Sequence, residues 1–148
     1  MYMLNKIEEI RSLRIQKSLL SEKEAILSRP LLFNLDLIEN LYYWFQEILS
    51  EQDPPSDIKN VSERKKFLFI VLYLYSPATL AGGKMAVGLR NKLTEVIDVC
   101  AKTTISDNCT DLGFLYNRYK TFNEEVNLLY NKLTERLRIA GLSIDPAA

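Results

Sequence analysis

The sequence contains no histidine. That absence removes the commonest general base, every Ser-His and Cys-His nucleophile pair and the usual zinc ligands. Cysteine is scarce too: Cys100 and Cys109 stand nine residues apart, with no imidazole or third thiol to complete a metal site. They fit structural thiols, buried and reduced in an intracellular chain. No apolar run approaches the ~18–20 residues of a membrane span. The longest, Phe67 to Tyr75, has nine residues. The opening Met1-Tyr2-Met3-Leu4-Asn5-Lys6 turns charged at once and lacks the apolar stretch of a secretory leader. The expectation is a cytoplasmic protein without a catalytic centre, metal or cofactor.

What is present is ample core material. The 148 residues are 47% hydrophobic, ordinary for a globular chain and too apolar for a disordered one. Lysine and arginine balance aspartate and glutamate at 19 each, yet the charge is uneven along the chain. Residues 1–60 carry seven basic and ten acidic side chains, whereas residues 61–122 carry nine and five. The rear of the chain is the more basic part, a weak electrostatic footprint for a polyanion.

Apolar periodicity predicts an all-α fold of six to seven helices. A first helix over about 3–20 carries Leu4, Ile7, Ile10, Leu13 and Leu20, with Lys17 interrupting the stripe. Ser21-Glu22-Lys23-Glu24 matches a capping box and predicts a short second helix, about 22–28, ending near Pro30. A helix over about 35–51, capped by Asn34, has two adjacent stripes, Leu37-Leu41-Trp44-Ile48 and Ile38-Tyr42-Phe45-Leu49, with Tyr43 outside both. Pro54-Pro55 marks the clearest break and the expected boundary between an N-terminal helical region, 1–53, and a helical domain over 60–140.

Asn60-Val61-Ser62-Glu63 predicts the cap of a central, buried helix over 61–75. Ser76-Pro77 ends it, and a loop through Gly82-Gly83 leads to a helix over about 84–99. Gly82-Gly83-Lys84 is not a phosphate-binding loop, because it lacks the upstream glycine and the preceding strand. A sixth helix is expected over about 103–120. A last one, from about 121 to 138, carries Val126, Leu129, Tyr130, Leu133 and Leu137 and stops at Gly141, before a tail over 141–148.

One segment suggests a function. Leu93 to Ser106 resembles a degenerate helix-turn-helix: Leu93, Val96 and Ile97 on a first helix, Val99 to Ala101 at the turn, Thr103 or Thr104 capping a second helix anchored by Ile105. Behind Ile105, Cys109, Leu112 and Leu115 would complete the buried side. Lys102, Thr103, Thr104, Ser106 and Asn108 would then face double-stranded DNA, with Lys84, Arg90 and Lys92 as phosphate clamps. Three departures are visible. The turn glycine is missing, the turn is one residue longer than usual, and Asp107 and Asp111 put negative charge on the reading face.

The stretch Leu72-Tyr73-Leu74-Tyr75-Ser76-Pro77-Ala78-Thr79-Leu80-Ala81-Gly82-Gly83-Lys84-Met85, with Gly88-Leu89-Arg90, Phe114-Leu115-Tyr116 and Tyr119-Lys120, resembles short uncharacterised helix-turn-helix-like proteins of Bacteroides-type bacteria and their phages or mobile elements. The resemblance covers the second half of the chain and implies a bacterial or phage setting. It carries no functional residue.

Two functions from different classes are therefore expected. The first is a DNA-binding protein, such as a transcriptional regulator, whose N-terminal helices dimerise or cover the core. The second is a non-enzymatic helical interaction module, such as a phage structural or host-modulating protein, with helix 35–51 as the contact surface for a protein partner or a second copy.

Overall fold

A nine-residue apolar run has no polar side to turn to water, so it must be surrounded. That requirement organises the molecule. The structure, a computed structural model, describes residues 2–97, 105, 108–142 and 144. Seven helices are present among them: α1 Tyr2–Leu27, α2 Leu37–Ser50, α3 Val61–Tyr75, α4 Pro77–Leu80, α5 Leu89–Ile97, α6 Leu112–Arg118 and α7 Lys120–Ile139. No strand occurs among the described residues. The fold is all-α, as the periodicity requires.

Helix α3 is the central element. From Phe67 to Tyr75 only Tyr73 is exposed. Helices α2, α4, α6 and α7 pack around it, and α2 also packs on α5 and α7. Phe67 lies between the rings of Tyr42 and Phe45, at 5.4 and 5.1 Å. Phe69 stacks on Tyr116 at 4.7 Å and meets Phe122 edge-on. Such aromatic pairs add to area burial and fix the rotation of each helix about α3.

The caps follow the local chemistry. The Asn60 side chain accepts from the Ser62 amide at 2.9 Å and starts α3. Glu63 does not close the expected capping box. Its carboxylate turns to Lys66 instead, at 3.0 Å. The Asn34 side chain accepts from the Asp36 amide at 3.0 Å, so it forms the turn before α2 rather than the cap itself. After α7, Gly141 adopts φ +80°, and the Leu142 amide donates to the Leu137 carbonyl at 2.8 Å while Gly141 donates to Arg138. Only glycine takes this left-handed step without strain, and the paired bonds close the helix.

Four expectations are corrected. Helix α1 runs unbroken through Ser21-Glu24 to Leu27, because nothing interrupts its backbone hydrogen bonds before Pro30. Pro54-Pro55 is a loop within one core: Ile38, Leu41 and Phe45 before it pack in the same cluster as Phe67, Leu93 and Leu133 after it. Residues 83–88 precede α5 without being helical, and 77–80 form the short α4. The expected sixth helix is interrupted by a turn at Thr110-Asp111: Ile105, Asn108 and Cys109 are helical before it, Leu112–Arg118 forms α6 after it, and Tyr119 in extended backbone separates α6 from α7.

Candidate functional site

The apolar scaffold expected of a helix-turn-helix is buried. Leu93, Ile105 and Leu112 are fully inaccessible, Ile97 nearly so, and Val96, Cys109 and Leu115 lie half-buried against the core. The residues meant to face DNA fare differently. Lys102, Thr103, Thr104 and Ser106 lie outside the described residues, as do the turn and Asp107. Lys84 and Arg90 are exposed and line one cleft with Thr79, Cys109 and Thr110.

Asn108 and Lys92 need correction. Asn108 is buried, 8% exposed, and its side-chain nitrogen has no partner among the described residues, so it does not stand on an outer face. Lys92 is held by Glu39 of α2 at 3.0 Å, by Asp36 in the turn that opens α2 at 3.5 Å and by Glu95 of its own helix at 3.9 Å. Its hydrogen bond to Glu39 outweighs desolvation and raises its pKa. A lysine enclosed by three carboxylates offers a phosphate no net positive field. Asp111 is likewise spoken for by Lys65, at 3.5 Å.

Cys109 sits beside Arg90. Burial pushes its thiol up to about 11, and the guanidinium pulls it only partly back. It is a neutral thiol at pH 7 and a poor nucleophile. Among the described residues no group of three or more His, Cys, Asp or Glu side chains is placed to hold a metal.

The second buried polar group lies inside α3. The Lys66 ammonium, 4% exposed, meets Glu63 and reaches Glu125 of α7. Desolvation alone would lower its pKa, but the hydrogen bonds to Glu125 and Glu63 win and raise it. The triad ties α3 to α7, and Lys66 and Glu125 line an open groove with Lys65, Tyr119 and Phe122.

The helix expected as the contact surface is core. Residues Ile38, Leu41, Phe45, Ile48 and Leu49 turn the apolar face of α2 inward, and only Tyr43 among its aromatics is exposed. The unpartnered apolar surface lies on α1 instead. Every residue from Leu4 to Leu27 is exposed. Nine of them are Leu or Ile, each between 48 and 80% accessible. The reason is legible in the spacing. Leu4, Ile7, Ile10 and Leu13 advance in steps of three, and each step turns about 60° short of a full circle, so they spiral round the helix instead of forming one stripe. No single flank of a bundle can receive all nine.

The junction of α1 with the bundle is pinned. The Leu31 and Leu32 amides both donate to the Leu74 carbonyl, at 2.8 and 3.0 Å. Ile26 and Leu27 form one wall of a cleft whose other wall is Tyr73, Pro77 and Tyr130. Comparison with protein-family models, curated proteins and solved structures gives no match.

Proposed function

We propose that this chain is a non-enzymatic helical interaction module whose docking element is α1. The observation that carries the reading is the set of nine exposed Leu and Ile side chains on one 26-residue helix. Isolated exposed leucines are ordinary, but nine on one helix that the bundle leaves uncovered exceed that scatter and point to a binding element. The accessible surface, 10,060 Å², exceeds by roughly 2,300 Å² the about 7,800 Å² of a compact 17.1 kDa monomer. A standard interface removes about 800 Å² from each partner, so the excess suffices for one. A bilayer is a poorer match. No described helix is long and apolar enough to cross a membrane, and α1 does not segregate charge from apolar surface as an interfacial helix does. The lack of any histidine supports a non-catalytic role.

A photo-activated cross-linker placed at Leu13 or Leu20 of the full chain in living cells tests the reading. Covalent adducts to protein are expected, and their absence, or adducts to lipid alone, would sink it.

A second reading, DNA binding, is favoured by Lys84 and Arg90, two exposed cations sharing a cleft with Cys109 and Thr110 beside the segment expected to enter the groove. Its test is a low-salt gel shift on duplex DNA. Lys84→Glu with Arg90→Glu and Lys102→Glu should abolish binding, and an unchanged shift removes the reading.

A further inference from the structure

The geometry points to the occupant of α1: we propose that it pairs with α1 of a second copy, antiparallel, centred near Ile15. The inference rests on the interaction-module reading and names its partner. Ile10, Leu13, Leu20 and Leu27 recur at spacings of three, seven and seven, the seam positions of a heptad. Lys6, Lys17 and Glu24 occupy the remaining positions of the same seam. Three charges in a seam decide the orientation. A parallel pair stacks each on its own copy, Lys6 on Lys6, Lys17 on Lys17 and Glu24 on Glu24, and like charges at close quarters oppose association.

The antiparallel pair removes that conflict. With Ile10 opposite Leu20 of the partner subunit, Lys6 falls opposite Glu24 of the partner subunit. Lys17 falls beside Leu13 of the partner subunit, where its stem packs and its ammonium reaches water. Along one flank Glu9 meets Lys23 of the partner subunit, and Gln16 meets its own copy. The twofold axis repeats each unlike pair, giving four oppositely charged contacts. One like pair remains, Arg14 with its copy, at the solvated edge where screening is strong.

The bundle leaves room for this assembly. No residue of α1 from Leu4 to Leu27 is buried against it, and α1 is about 39 Å long, so antiparallel pairing holds the two bundles at opposite ends. The side of α1 with Ile15, Leu19 and Ile26 stays outside a two-stranded coil and is covered if two such pairs associate.

Sedimentation equilibrium of the full chain, up to about 100 µM, tests the proposal. A dimer, or a dimer of dimers, is expected. Leu13→Glu with Leu20→Glu should give a monomer with the bundle's thermal transition intact, since neither side chain is buried in the bundle. Lys6→Glu and Glu24→Lys should each weaken association about tenfold, and together restore it. A monomer at every concentration, an oligomer indifferent to Leu13 and Leu20, or no restoration in the double exchange overturns the proposal. If self-association fails while cross-links from α1 to another protein persist, only the identity of the partner is lost. If both fail, the interaction reading fails with it.

Discussion

The Tyr75 hydroxyl donates to the Asn34 carbonyl at 2.7 Å, across 41 positions of sequence. It joins the last residue of the central helix to the turn that opens α2. Together with the two amides bonded to Leu74, it fixes where α1 leaves the bundle. Burial, aided by Asp36, holds the phenol neutral well above the ordinary tyrosine range.

Tyr75→Phe keeps the ring and deletes the bond. The Asn34 carbonyl keeps the Leu37 amide at 3.2 Å and loses its shorter bond, so a loss of about 1 kcal/mol is expected by urea denaturation. A loss below a few tenths would mean the backbone bonds at Leu74 and Asn34 hold the turn without the phenol.

Lys66→Met strands Glu63 in the core. One carboxylate oxygen of Glu63 is already buried without a hydrogen-bond partner among the described residues. Removing one member of a buried ion pair costs about 3–5 kcal/mol, whereas Glu125→Gln, at the exposed end of the triad, should cost far less. Thermal unfolding of the two variants reads the difference.

The pH dependence has a definite sign. The Lys66 pKa is raised above 10.5 and that of Tyr75 above 10.0. A raised folded-state pKa contributes stability that is complete below the unfolded value and is lost as pH rises through the folded one. Both contributions are therefore complete and independent of pH near neutrality, and they fall away above about pH 10. Tyr75→Phe should flatten the first part of that fall in a pH series of urea melts.

Gly113→Ala should destabilise. A Cβ there would collide with the Leu80 carbonyl oxygen, which belongs to backbone and cannot swing aside. Separating α6 from α4 to relieve the clash should cost about 1–3 kcal/mol, measurable as a lowered melting temperature.

Cys109 should label slowly. Raising the thiol from 9.0 to about 11 leaves about a hundredfold less thiolate at pH 8 than a free cysteine has. Peptide mapping after iodoacetamide treatment should show that deficit in the folded chain and its loss in urea. A rate equal to the unfolded one contradicts the burial.

Much of this fold was legible in the chain. The bounds of α3 follow from Asn60, the apolar run and Ser76-Pro77, and the end of α7 follows from Gly141, because caps and breakers act on the nearest few peptide groups. The expected DNA-facing set was less legible. Asn108 looked like a reading residue by its position, and Lys92 like a clamp by its charge. Burial of the one, and two of the three acids around the other, come from chain segments up to 56 residues away, Asp36 for Lys92, which no local pattern encodes.

The sequence by itself determined the all-α class, the bounds of α3, the burial of Phe67 to Leu72 and the lack of imidazole chemistry, since each depends only on residue type and short-range spacing. Tertiary structure decided which apolar helix has a partner. The wide stripe of α2 and the spiral of α1 are both rich in leucine and isoleucine, and composition does not separate them. One contiguous face fits between α3, α5 and α7, while apolar side chains distributed around a helix fit no single flank, so α2 became core and α1 remained in solvent.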